Sequence, residues 1–260
     1  MKNLFNLIVI VLSILLSYLF YELVMGEPGR FLTEAKHTPA DPGDVLAMIY
    51  TGGPIVSLLI AFILIGLTFT IERFLYIRKA EGKSNPENFI TSIVNTLAQG
   101  DLEKALSDCD KQRGTIANIM RSAITRFKDV ENDDEFVAEK KISEVQRAID
   151  EQMNLETPLL EKNLVILSTI ASIAVLFGLL GTTLGMIRAF QALALSGTVS
   201  ATQLSLGISE ALYNTAGGLI GAILAILAYN FFTNKVDGFV YLIDEGILSV
   251  TQIFTGRIKK

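Results

Sequence analysis

The sequence is poor in charge and nearly empty of the side chains that bind metals or staple small domains. Of its 260 residues 19% are charged, where a soluble domain carries about a quarter. One cysteine (Cys109) and one histidine (His37) are present, which excludes a disulfide framework and a His/Cys metal cluster. No GxxxxGK[ST] loop occurs, so ATP is not expected as the direct energy source. A net charge of −5 and a pI near 5.1 leave no basic footprint, so nucleic acid is not expected as a partner. No nucleophile–base pair stands out either, and neither a catalytic residue nor a cofactor is assigned.

What the chain has instead is apolar length. Half of it is hydrophobic, its mean hydropathy is +0.46, and several windows longer than about twenty residues contain no charge. A spanning helix needs about 20 predominantly apolar residues, and four segments qualify. The first covers residues 4–25, with Glu22 near its end. The second runs over about 53–69 and meets charge at Glu72-Arg73. The third covers 164–190 and carries Arg188 close to one end; the fourth covers about 205–232 and contains Glu210. The expected fold is all-α: a polytopic membrane protein whose long helices extend into a cytoplasmic helical bundle.

Lys and Arg near the segment ends set the orientation. Arg73, Arg78, Lys79 and Lys83 follow the second segment, Lys162 precedes the third, and Lys235, Arg257, Lys259 and Lys260 follow the fourth. Residues 191–204 carry no charge. The expected division is therefore an N-terminal anchor or signal segment (1–25), a periplasmic segment (26–50), a membrane helix (51–77) and a cytoplasmic helical domain (78–162). A membrane helix (163–190), a periplasmic loop (191–204), a membrane helix (205–232) and a cytoplasmic tail (233–260) complete it. For residues 1–25 two readings stand. Lys2 before an apolar run suits a signal peptide, whereas the run's length and the lack of an A-x-A site suit an uncleaved anchor.

Residues 84–162 read as helical. Asn85-Pro86 starts a helix with proline at its first position. Gly100-Asp101 ends it and caps the next, and Gln112-Arg113-Gly114-Thr115 repeats that pattern. The acidic run from Glu131 to Glu135 suits the start of a further helix. No glycine then occurs until Gly178, which predicts one very long helix bent at Pro158. On it, Val137, Ile142, Val145, Ile149 and Met153 fall at helical spacing and are expected to face neighbours.

Inside the membrane, small residues recur at helical spacing. Gly178, Gly181, Thr182, Gly185 and Ala189 share one face of the third segment, and Ala211, Thr215, Gly218, Ala222 and Ala225 share one face of the fourth. Glu210, Asn214, Gly217 and Gly221 form a second face there. Close helix packing in lipid accounts for Gly178, Gly181, Gly185, Gly217, Gly218 and Gly221. Thr182, Thr215, Asn214 and Glu210 are candidates for a proton pathway. A carboxylate costs about 2.5–3.5 kcal/mol at the bilayer centre and less near an interface. A self-contained proton path needs several Asp, Glu or His residues, and among these Glu210 stands alone. If the chain conducts protons, a second carboxylate is expected from another chain.

The stretches Gly178-Leu179-Leu180-Gly181-Thr182 and Gly207-Ile208-Ser209-Glu210-Ala211-Leu212, followed by Thr215-Ala216 and Gly218-Leu219, resemble the paired signatures of the ExbB/TolQ proton-channel family. Tyr229-Asn230, Gly52-Gly53-Pro54 and Glu72-Arg73-Phe74-Leu75 are similar too, so the resemblance covers about residues 50–235. It implies a pentameric ring around a pair of ExbD- or TolR-like single-span subunits whose membrane Asp carries the proton. Thr182, Thr215 and Glu210 then match the family's pathway residues. It also implies a TonB- or TolA-like protein as recipient of the work. Leu224 and Val175 depart from the family, which often has proline there, and a fourth span is shared with MotA-type stators. The expected function is a non-enzymatic motor subunit of the bacterial inner membrane, energising TonB-dependent transport or a Tol-Pal-type process. A MotA-like motility stator and a non-conducting scaffold are the alternatives.

Overall fold

The computed structural model describes residues 2–32, 36, 39–41, 43–133, 136–196 and 201–258; His37 and Pro42 lie outside them. The described residues are mostly helical, with no β-strand among them. Their order is α1 (Lys2–Phe20), a π-helical turn (Tyr21–Met25), a short 3-10 turn (Pro28–Arg30), α2 (Val45–Tyr50), α3 (Ile55–Ala80) and α4 (Pro86–Ala98). α5 (Leu102–Gln112), α6 (Thr115–Glu131), α7 (Ala138–Glu161), α8 (Leu164–Ser196) and α9 (Ala201–Ile258) follow. Four stretches are long and apolar enough to cross a membrane. The protein is an all-α, multi-pass membrane protein. It divides into two compact units, Met1–Ile71 with Asn163–Asn230, and Glu72–Lys162 with Phe231–Lys260.

In the first unit, α1 exposes most of its leucines and isoleucines and buries a narrow stripe of Ser13, Ser17, Tyr21 and Met25. These residues recur every fourth position, which keeps them on one face. The stripe ends in an aromatic stack: the Tyr21 and Tyr50 rings lie 4.4 Å apart, and the Tyr21 hydroxyl donates to the Tyr50 carbonyl at 3.2 Å. The Phe31 ring lies tilted against Tyr50 at 5.3 Å. Tyr50 closes α2, a one-and-a-half-turn helix that the sequence reading did not separate from its surroundings. Asp44 caps it, accepting from the Leu46 and Ala47 amides. Those bonds, Ala47 first, together with Arg30, hold the Asp44 carboxyl below the usual range.

The single long helix anticipated from Asp134 onward is two helices. α7 begins at Ala138, continues through Pro158 and stops at Glu161. The break falls at Lys162, which is extended (ψ 139), and Asn163, which is left-handed (φ +66). Asparagine tolerates that conformation better than most side chains, and the Asn163 amide oxygen accepts from Asn6 of α1 at 2.9 Å. The acidic run is divided as well: Glu131 closes α6, and Asp134 and Glu135 lie outside the described residues. Val145 and Ile149 are buried and Ile142 and Met153 half-buried, whereas Val137 precedes the helix and is exposed. Towards the other end, α8 continues to Ser196 and α9 begins at Ala201, so helix extends into the uncharged stretch from both sides.

The second unit is built as the caps suggest. Asn85 and Asp101 accept from backbone amides at the starts of α4 and α5. Arg113 (φ +58) and Gly114 (φ +85) reverse the chain between α5 and α6, where a Cβ on Gly114 would lie 2.4 Å from the Ala80 carbonyl. Residues 231–258 continue α9 and bury Phe232, Val236, Phe239, Ile243, Val250 and Phe254. Phe254 stacks on Phe127 of α6 at 4.0 Å, and Lys235 and Arg257 pair with Glu81 and Glu131. Arg73 is buried and its guanidinium does two jobs. It grips Glu72 through two bonds of 2.7 and 2.6 Å, and it donates to the Leu159 and Leu160 carbonyls at 3.3 Å. Those carbonyls belong to the last turn of α7 and have no partners within the helix.

Cys109 sits in this bundle at 2% exposure, and burial pushes its thiol up to about 12. At pH 8 its thiolate fraction is then about three orders of magnitude below that of a free cysteine. Maleimide labelling of the folded protein is expected to be negligible over an hour and complete after denaturation. Rapid labelling of the native protein would contradict this burial.

Candidate functional site

α8 and α9 meet backbone to backbone in the first unit. A Cβ on Gly218 would fall 2.6 Å from the Ala174 carbonyl; one on Gly185 would fall 2.9 Å from both the Ala211 nitrogen and the Gly207 carbonyl. A Cβ on Gly178 would lie 3.1 Å from the Asn214 carbonyl, and one on Gly207 2.6 Å from Ala189 Cβ. Such approach is possible only where side chains are absent, and in lipid it gives dispersion contacts that bulkier residues forbid. Gly217 and Gly221 point elsewhere, towards Leu59 and Ile63 of α3. The second small-residue face of α9 thus reaches α3 as well as α8, with Gly221 near both Ile63 and Ala174.

The close approach brings two hydroxyls together. Thr182 Oγ1 lies 2.7 Å from Thr215 Oγ1 and also donates to the Gly178 carbonyl at 3.0 Å. With the Thr182 proton on that carbonyl, Thr215 is the donor between them. Both side chains are half-buried. Each hydroxyl donates and accepts, so the pair can pass a hydrogen-bonded proton but carries no charge of its own.

Asn214 and Glu210, the neighbouring residue and the fifth residue before Thr215, are engaged elsewhere. Asn214 is fully buried; its amide nitrogen donates to the Gly52 carbonyl at 2.7 Å and to the Glu210 carbonyl at 3.0 Å. Its amide oxygen is buried without a donor. The bond to Gly52 draws the Gly52-Gly53-Pro54 turn onto α9. Gly53 has φ +78, and a Cβ there would lie 2.8 Å from Glu210 Oε1. Glu210 itself is paired: Arg188 Nη1 of α8 donates to its Oε1. Glu210 has a permanent cation opposite it, at the same end of the helix pair.

The structure thus joins Thr182 to Thr215, and separately joins Glu210 and Asn214 to Arg188 and the Gly52–Gly53 turn. Sequence reasoning missed Arg188 and the turn. A signal for Arg188 existed, since Arg188 and Glu210 are the two charges in α8 and the first thirty residues of α9, and they are opposite in sign. The bond from Asn214 to Gly52 spans 162 residues and has no local signature. Among the described residues no group of His, Cys, Asp or Glu is arranged to hold a metal.

Residues 111–245 match the MotA/TolQ/ExbB proton channel family, and the chain belongs to that family. Over 195 residues it is 27% identical to a biopolymer transport protein ExbB homolog of Methanothermobacter thermautotrophicus, covering 75% of this chain and 65% of that one. The Tol-Pal system protein TolQ of Haemophilus influenzae is 40% identical over 115 residues, 44% of this chain and 48% of that protein. The biopolymer transport protein ExbB of Aquifex aeolicus is 43% identical over 77 residues, 30% of this chain and 52% of that protein. The chain spans less than two thirds of the length of each of these relatives.

Proposed function

We propose that this chain is the ring-forming channel subunit of a motor driven by the proton motive force across the bacterial inner membrane. The observation that carries the reading is the hydroxyl pair of Thr182 and Thr215, held 2.7 Å apart by glycine-mediated packing of two apolar helices. Glu210 is the one acid in α8 and the first thirty residues of α9, and it is already paired. The site offers a polar surface for a proton but no second carboxylate to carry one past the threonines. A single-span partner of the ExbD/TolR kind supplies that carboxylate, an Asp, and a ring of five copies of this chain surrounds it. A proton falling through 100 mV releases about 2.3 kcal/mol, so several protons drive a conformational cycle without nucleotide. Residues 72–163 lie in the cytoplasm, and a TonB- or TolA-like protein on the outer side receives the work. The match to TolQ and ExbB relatives supports this output over a motility stator.

The test is proton flux in proteoliposomes under an imposed potential. Rings of this chain alone are expected to stay at background, and rings holding a single-span partner with an intramembrane Asp are expected to conduct. Full-rate translocation by the chain alone would overturn the borrowed carboxylate, and absence of flux with the partner would favour a scaffold.

A further inference from the structure

Arg188 is an expensive residue to place beside a membrane helix, because its guanidinium stays charged at any accessible pH. Glu210 is expensive for the same reason while it is ionised. Paired, the two are neutral together, and each offsets the other's desolvation. They are 52% and 14% exposed: the carboxylate is covered and the guanidinium reaches in from a more open position. The cover is the Gly52–Gly53 turn. A Cβ on Gly53 would sit 2.8 Å from Glu210 Oε1 and 3.4 Å from Arg188 Nη1, so the turn passes over both partners. Asn214 pins that turn to α9 through the Gly52 carbonyl. Tyr21 stacks on Tyr50, two residues before the turn.

The ion pair is not needed to hold α8 to α9. That contact is already made at Gly178, Gly185, Gly207 and Gly218, where backbone meets backbone. What the pair does determine is the charge that a proton meets at this end of the helices. While Arg188 holds Glu210, the site is neutral and its carboxylate oxygen is occupied. When Glu210 takes up a proton, the charge-assisted bond becomes an ordinary one, and the site carries the full charge of Arg188. A second proton is then repelled until the first has left.

We propose that Arg188 is the positioning residue for Glu210: it holds the carboxylate neutralised beneath the Gly52–Gly53 turn and lets go when a proton binds. The inference rests on the channel reading above. It makes Arg188 a determinant of how protons enter, acting through Glu210 and not by carrying protons itself.

The experiment uses the full complex, ring and partner, in proteoliposomes, with wild type, Arg188→Lys, Arg188→Gln and the exchanged pair Arg188→Glu/Glu210→Arg. Oligomer size and melting temperature are measured beside flux. Arg188→Gln is expected to lower flux about tenfold or more, a barrier change of about 1.4 kcal/mol, while the ring stays intact. Arg188→Lys keeps a cation and is expected to retain most of the flux. The exchanged pair is expected to keep an intact ring and to lack flux, because its acid then stands at the open position and not beneath the turn. Wild-type flux in Arg188→Gln, equal losses in the Gln and Lys variants, or full flux in the exchanged pair would each overturn the inference and leave the channel reading standing. A silent wild-type complex would instead remove the channel reading, and this inference with it.

Discussion

Gly181→Ala is expected to destroy the seating of α8 on α9. The added methyl would lie 2.3 Å from Asn214 Cβ and 2.5 Å from its Cγ, closer than non-bonded carbons approach. Asn214 is fully buried and bound to the Gly52 carbonyl, so it cannot swing aside without giving up that bond. Overpacking of this kind costs about 1–3 kcal/mol, and stranding a buried amide adds about 1–3 kcal/mol. The total is a large fraction of a typical folding free energy of about 5–15 kcal/mol. Loss of the detergent-stable oligomer, or a melting temperature lower by many degrees, is the expected result. Gly221→Ala is the matched control, because its methyl would meet Ile63 and Ala174 at 3.4 and 3.6 Å, ordinary contact distances. If the two variants melt together, the close approach at Gly181 is not the feature that fixes the pair.

Thr182→Val and Thr215→Val are expected to assemble normally and to lose most of their proton flux. Valine keeps the branched shape and removes the hydroxyl. Either change leaves the other hydroxyl without its 2.7 Å partner, a stability loss of about 1–3 kcal/mol at most. The effect on transport is larger, because the polar track between the helices is cut. A loss of about tenfold or more in flux, equivalent to at least about 1.4 kcal/mol in barrier, is expected for each. The double variant should be little worse than either single one, since the two hydroxyls act as one unit. Wild-type flux in both single variants would return the threonines to helix packing.

Much of the architecture was legible because the physics behind it is local. The spans follow from runs of apolar residues long enough to cross a bilayer, and the helix starts at Asn85 and Asp101 follow from side chains that cap the nearest amides. The small-residue faces of α8 and α9 are equally local, being read from spacing along one helix. What was not legible depends on residues far apart in sequence or on backbone conformation. The break at Asn163 requires a left-handed residue that many asparagines in other proteins do not adopt. Pro158, the conspicuous breaker, sits inside α7. The short helix α2 is too brief for periodicity to show. Among the candidate site residues, the meeting of Thr182 with Thr215 follows from face matching. The engagement of Asn214 with Gly52 depends on how the turn before α3 lies against α9.

The stack of Tyr21 on Tyr50 bears on how this protein can be recombined with its relatives. The first helix looks like a detachable part, since most of its surface is apolar and outward-facing. Yet its buried stripe ends on the residue that closes α2, two positions before the turn lying over Glu210. A chimera that trims residues 2–25, or grafts the remaining helices onto a different leader, would remove the aromatic seat of that turn while leaving α8 and α9 untouched. The natural unit of exchange is therefore the block from Lys2 to the start of α3, moved whole. Within this architecture α1 is a component of the seat beneath the Gly52–Gly53 turn, and the lipid around α1 becomes part of that turn's surroundings.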